Sequence, residues 1–110
     1  MLYSVITIPH FDHELKKLAK KYTSLKEEYK ALVEKLEKNP ELGKPLGNNL
    51  YKIRLAIASK GKGKSGGARI ITYLKTEKGN VYLLSIYDKS EKVTLSGKEI
   101  KDILNPFVTL

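Results

Sequence analysis

Apolar and polar side chains alternate along residues 51–57, with Tyr51, Ile53, Leu55 and Ile57 in one phase and Lys52 and Arg54 in the other. A period of two marks a strand with two unlike faces. The segment is therefore expected to carry its cations on one side of a sheet and its apolar side chains on the other. Two further β-branched and aromatic runs, residues 70–76 and 81–87, flank the turn sequence Glu77-Lys78-Gly79-Asn80 and predict a hairpin. Residues 3–8 alternate enough for one more strand, which Pro9 stops or confines to an edge.

Between those strands the period becomes helical. Asp12 is expected to cap a first helix, with Leu15, Leu18, Ala19 and Tyr22 spaced for one buried stripe. Ser24-Leu25-Lys26-Glu27 reads as a capping box for a second helix, whose apolar face is Leu25, Tyr29, Leu32, Val33 and Leu36. Asn39-Pro40 ends it, and the short link at Thr23 predicts an antiparallel helical hairpin. Residues 41–49, rich in Gly and Pro, are expected to be a loop. Ser96-Gly97-Lys98-Glu99 is another capping box, with Leu95 and Ile100 placed as a hydrophobic staple. Ile100, Ile103 and Leu104 give that last helix an apolar side before Pro106. The predicted order is β-α-α-β-β-β-α. It describes one α+β domain over residues 1–110, a small, largely antiparallel sheet with an N-terminal helical hairpin and a C-terminal helix.

Composition narrows the class. A hydrophobic share of 41% over 110 residues supports one modest core and argues against disorder. With no cysteine, neither disulfides nor thiolate metal sites hold the fold, and a reducing cytoplasm is the expected location. No apolar stretch approaches the roughly 20 residues of a membrane span, and the start lacks the pattern of a signal peptide. The net charge of +9 is unevenly placed: residues 49–89 hold nine Lys/Arg against two Asp/Glu, whereas residues 1–48 hold nine against seven. A concentrated surplus on strands and their loop suits nucleic acid more than an anionic membrane, for which a basic amphipathic helix is missing.

Several motifs dissolve on inspection. Gly61-Lys62-Gly63-Lys64-Ser65-Gly66 satisfies G-x-G-x-x-G, but a dinucleotide fold needs a helix next, and Ile70-Ile71-Thr72 follows instead. A Walker A reading fails because Ala58 stands where its first glycine belongs. The loop is better read as a hairpin connection whose Lys60, Lys62 and Lys64 reach a phosphate backbone, against the plainer alternative of a solvated charge run. His10 and His13 have no third histidine to complete a metal site and read as surface or helix-cap residues. Tyr22, Tyr29, Tyr51 and Tyr82 fall on apolar stripes. Tyr73 shares strand phase with Arg69 and is expected in packing; Tyr87 shares it with Lys89 and is open to either packing or a site. Lys52, Arg54, Arg69 and Lys89 come from three predicted strands, whose register allows them to converge at one end of a sheet.

The helical hairpin, Tyr51-Lys52-Ile53-Arg54-Leu55, Gly67-Ala68-Arg69-Ile70-Ile71-Thr72-Tyr73 and Val81-Tyr82-Leu83-Leu84-Ser85-Ile86-Tyr87-Asp88-Lys89 together resemble the RelE/HigB group of the RelE/ParE superfamily of bacterial toxins. The similarity spans nearly the whole chain, and the lysine-glycine insertion before Arg69 resembles a HigB-like branch. The resemblance implies the toxin of a type II toxin–antitoxin system, a ribosome-dependent messenger-RNA endonuclease that needs no cofactor or metal. It implies a cognate antitoxin, usually encoded beside it and here of a helix-turn-helix, HigA-like kind. Ribosome and messenger RNA would be partners, operator DNA would be reached only through the antitoxin, and no membrane would be involved.

Residue by residue, Lys52 and Arg54 match the paired basic residues of the family's second strand, Arg69 the arginine opening the third, and Lys89 a basic residue after the fourth. The family's best-known branch also uses a tyrosine several residues further on. Thr94, Leu95 and Ser96 stand there, so that role is vacant or passes to Tyr87. In the implied reaction the RNA 2′-hydroxyl attacks phosphorus, giving a 2′,3′-cyclic phosphate and a 5′-hydroxyl. Arg69 and Arg54 would hold the phosphate, Lys52 would act as base and Lys89 would protonate the leaving oxygen. Other expectations compatible with the charge are a ParE-like inhibitor of DNA gyrase and a non-catalytic RNA-binding module.

Overall fold

The computed structural model describes residues 2–60, 67–90 and 96–104. Five strands form one sheet: β1 (Ser4–Thr7), β2 (Lys44–Gly47), β3 (Leu50–Leu55), β4 (Ala68–Lys75) and β5 (Asn80–Asp88). Its order is β1-β5-β4-β3-β2, with β1 parallel to β5 and every other pair antiparallel. Helices α1 (Pro9–Lys21) and α2 (Leu25–Lys38) form the hairpin between β1 and β2, and α3 (Gly97–Leu104) follows β5. The fold is the α+β arrangement that the alternation and helical periodicity predict. Among the described residues no helix is long and apolar enough to cross a membrane.

One core serves the whole domain. Phe11 and Leu18 of α1 and Leu25, Leu32 and Leu36 of α2 are buried together with Ile53, Ile70, Leu83 and Ile86 of the sheet. The central strand β4 is buried from Ala68 to Leu74, so residues of both phases are covered. β1 is shorter than β5, and its pairing stops at Thr7↔Leu83. Beyond it, Glu14 of α1 takes over the exposed edge: its Oε1 accepts from the Ile86 amide at 3.1 Å and the Ser85 hydroxyl at 2.8 Å. A carboxylate thus substitutes for the missing strand and blocks the edge against further pairing.

The structure corrects the sequence in three places. Residues 41–49 are not all loop, because β2 pairs antiparallel with β3 through Lys44↔Lys52 and Pro45↔Tyr51. An edge position tolerates Pro45, whose missing N–H costs no ladder bond there. The return into β3 runs through positive φ at Gly47, Asn48 and Asn49, a conformation asparagine bears better than most side chains. Asp12 is not the cap of α1; Pro9 occupies the first turn after Ile8, and the Asp12 amide already bonds the Ile8 carbonyl. The Ser24–Glu27 box does not close either. Ser24 has helical φ and ψ, and its hydroxyl meets Glu28 and Ser59 instead. The Ser96–Glu99 box forms in both directions, each bond 3.1 Å long. Ile100 is buried, while Leu95 and Pro106 lie outside the described residues.

Thr72 sits at the middle of β4 with its hydroxyl buried and, among the described residues, without a hydrogen-bond partner. An unmade buried bond costs about 1–3 kcal/mol. Thr72→Val, nearly the same shape, is therefore expected to leave stability unchanged or raise it by up to about 1 kcal/mol. Chemical denaturation of the two proteins measures the difference; a clear loss would mean that the hydroxyl has a partner in solution.

Candidate functional site

The β3–β4–β5 register builds a row across the sheet. Arg54 lies opposite Arg69, and Arg69 lies opposite Tyr87. Residues directly opposed across strands project from the same face, so the three side chains share one surface. Lys52 is two residues before Arg54 on that face, and Lys44 of β2 lies opposite Lys52. Lys89, two residues beyond Tyr87, continues it past the end of β5. The convergence expected for Lys52, Arg54, Arg69 and Lys89 is thus realised, and Lys44 joins them. Sequence reasoning missed Lys44 because a four-residue strand with a proline carries no alternation to read.

The row has depth. Arg54 is exposed and Lys52 and Lys89 are half-buried, whereas Arg69 is only 2% and Tyr87 7% exposed. Arg69 Nη1 donates to the Ala68 carbonyl at 3.1 Å. Burial, followed by Arg54 across the ladder, pushes the Arg69 guanidinium below its ordinary value, while Tyr87 works the other way. An arginine stays charged through such shifts at any physiological pH. Lys52 is also pushed down, first by burial and then by Arg69, Lys44, Arg54 and Lys89. Among the described residues no carboxylate stands within ion-pair distance of Lys52, Arg54 or Lys89. The face is therefore a cluster of like charges that an anion would relieve.

The backbone at the rim is tightly set. A Cβ on Gly67 would fall 2.1 Å from the Leu55 carbonyl oxygen, and the Gly67 carbonyl accepts the Lys89 amide at 3.2 Å. Only a residue without a side chain fits between β3 and the end of β5 there. On the other margin, Glu28 accepts the Ala58 amide at 2.7 Å, and the Ser59 amide bonds the Ser24 hydroxyl at 2.9 Å. These contacts tie the 3₁₀ turn Ala58–Lys60 to α2. Of the loop lysines, Lys60 ends that turn, while Lys62 and Lys64 lie outside the described residues. An open groove of about 690 Å³, lined by Lys44, Lys52, Arg54, Glu28 and Lys35, adjoins the row beside α2.

The remaining candidates fall elsewhere. His10 pairs with Glu14 at 3.1 Å in the first turn of α1. Tyr73 packs its ring against Tyr82, centroids 6.2 Å apart, as expected of a packing residue. Tyr87, open to two readings in the sequence, lies in the charged row beside Arg69.

A family profile described as the RelE toxin of the RelE / RelB toxin–antitoxin system matches residues 10–105. The chain belongs to the RelE toxin family. Solved structures agree on the fold. An arginine double mutant of the E. coli toxin RelE in the free state superposes with a TM-score of 0.65 at 18% identity, covering 98% of this chain and all of that one. The RelE–RelB complex of E. coli gives 0.60 at 21% identity, covering 78% of this chain and 95% of the other. The RelBE2 toxin–antitoxin complex of Mycobacterium tuberculosis gives 0.58 at 18%, covering 80% and 92%. The RelE-family chain thus keeps the architecture while most of its side chains differ, so the chemistry of the row must be argued from its own residues.

A lysine with a depressed value binds its proton less tightly folded than unfolded. Its contribution therefore opposes folding below the depressed value and fades as pH rises from there to the ordinary one. Lys52 is expected to titrate below an ordinary lysine, and Arg54→Gln or Lys44→Gln to move it back up. NMR of the Lys52 side chain across pH decides this; an ordinary value in the parent chain would dissolve the coupled cluster.

Proposed function

We propose that this RelE-family toxin is a messenger-RNA endonuclease that acts on the ribosome, cleaves through the RNA 2′-hydroxyl and is neutralised by a cognate antitoxin. The observation that carries the reading is the cross-strand row Arg54–Arg69–Tyr87 flanked by Lys52 and Lys89. A cross-strand row of cations, of which Lys52, Arg54 and Lys89 meet no carboxylate at ion-pair distance among the described residues, is suited to a pentacoordinate phosphorane, where negative charge builds on the phosphoryl oxygens. Lys52, depressed by burial and by its neighbours, has the larger neutral fraction that a base needs to take the 2′-hydroxyl proton. The oxygen attacks the adjacent phosphorus, a 2′,3′-cyclic phosphate forms, and the 5′-oxygen leaves with a proton from Lys89. Arg54 at the surface holds the phosphate, and the buried Arg69 raises the positive potential beneath it. Tyr87, beside Arg69, takes the hydrogen-bonding role of the family tyrosine. Charge neutralisation and both proton transfers are supplied by side chains, so the route calls for no metal.

Membership of the family supports a setting for this activity. An antitoxin partner is supported by the toxin–antitoxin complexes among the structural neighbours. A helix-turn-helix, HigA-like antitoxin, contact with operator DNA through it, and action in the cytoplasm complete the reading. Lys60, Lys62 and Lys64 dock on ribosomal or messenger RNA.

Arg69→Lys keeps a positive charge beneath the phosphate and is expected to slow cleavage by no more than about tenfold; Arg69→Ala, which removes that potential, is expected to slow it about a hundredfold. Mapping messenger-RNA ends in a translation extract measures both, with thermal melting to confirm folding. Growth inhibition that persists without any RNA cleavage by the parent chain would favour gyrase as the target.

Replacing Lys60, Lys62 and Lys64 with glutamine should weaken ribosome association and flatten its salt dependence by up to about three phosphate contacts, with the thermal transition kept. Cosedimentation across a salt series tests this. Equal binding at every salt concentration would reduce the loop to a solvated charge run.

A further inference from the structure

Asp88 closes β5 with its carboxylate turned to the reverse of the cationic face, opposite Ala68, and is only 2% exposed. Burying a carboxylate is expensive unless its oxygens are well satisfied. Here Oδ2 accepts the phenol of Tyr22, the residue closing α1, at 2.7 Å. Oδ1 accepts both the amide and the hydroxyl of Ser90, at 2.9 and 2.8 Å. The residue bracketed by this arrangement is Lys89. Its own amide is bonded to the Gly67 carbonyl at 3.2 Å. Lys89 follows the last residue of β5, where a chain end would ordinarily fray. The carboxylate binds the residue after it and the helix behind it, so the backbone of Lys89 is held from both directions.

We infer that Asp88, tied to Tyr22 and Ser90, is a positioning residue that sets Lys89 against the reacting phosphate. The inference rests on the reading of Lys89 as a group at that phosphate. Asp88 touches no substrate in this arrangement; it acts through the turn it fixes. Asp88→Asn retains an acceptor for Ser90 and a polar partner for Tyr22, whereas Asp88→Ala removes both.

The test is a double-mutant cycle on purified toxin with programmed ribosomes. Asp88→Ala should lower kcat about tenfold with KM little changed, and Asp88→Asn should recover most of that loss. In a Lys89→Ala background the Asp88→Ala loss should vanish, because a misplaced group that is already absent cannot be lost again. Losses that multiply across the two positions would overturn the proposal, as would a rise in KM alone, and Asp88 would then only support the fold. Should Asp88→Ala not fold, Tyr22→Phe and Ser90→Ala carry the same cycle, with smaller losses that must also disappear without Lys89. Hydrogen exchange gives a readout independent of activity: the Lys89 amide should exchange at least about tenfold faster in the variant that loses the bracket, while β4 amides are unchanged. A parent chain that cleaves no RNA defeats the nuclease reading, whereas an unchanged Lys89 amide defeats the positioning role.

Discussion

The sheet depends on a charge that its most buried strand has to accommodate. β4 is covered from Ala68 to Leu74, yet it carries Arg69, with Arg54 directly across on β3. Like charges opposed in a ladder destabilise it, and burial adds a desolvation cost to each guanidinium drawn in. The Ala68 carbonyl meets one Arg69 nitrogen, and the phenol of Tyr87 stands on the other side. What remains of the repulsion is carried by the rest of the core, which packs both helices of the hairpin against the sheet. A domain this small tolerates that only with good packing elsewhere. Cations gathered on one face of a sheet in this way suit a ligand that brings negative charge.

Carboxylates close to this face do different work. Glu14 satisfies the Ile86 amide where β1 runs out, Glu28 satisfies the Ala58 amide at the root of the basic loop, and Asp88 satisfies the Ser90 amide at the end of β5. Each bonds main chain where a strand or its pairing ends. These acids are engaged with main chain, while Lys52, Arg54 and Lys89 keep their charge available to a ligand. Had the acids paired with those cations instead, the face would be better neutralised and less able to bind a polyanion.

The sequence made the cations and their strands legible because a period of two assigns faces without knowledge of the partner strand. Lys52 and Arg54 could be separated from Ile53 and Leu55 on phase alone. Depth was not legible. Arg69 and Arg54 have the same residue type and opposed positions, but one lies on the central strand and the other near an edge, and only the strand order distinguishes them. β2 was hidden for a related reason: its pairing is dictated by β3 beside it and by the positive φ values of Gly47, Asn48 and Asn49, and nothing within Lys44–Gly47 announces a strand. The Asp12 cap failed because α1 already starts at Pro9, and the Ser24 box because other side chains competed for it. The Ser24 hydroxyl meets Ser59 and the Glu28 side chain rather than a first-turn amide of α2, while Ser96 closed its box as local rules predict.

A site assembled this way ties chemistry to register. The residues opposite one another, Arg54, Arg69 and Tyr87, are fixed relative to each other by ladder bonds that cannot shift by less than a whole step. A slip of one residue between β3 and β4 would turn Arg69 to the helix side and bring Ala68 or Ile70 to the face. Gly67 guards against that slip, because its close approach to the Leu55 carbonyl admits no other residue at the end of the ladder. The bulge in β5 between the partners of Ile71 and Thr72 separates the register of the charged end from that of the Tyr73–Tyr82 end, so the packing there can vary without rotating the row. Rigid placement of cations by strand register is what the proposed phosphate chemistry asks of a protein of this size.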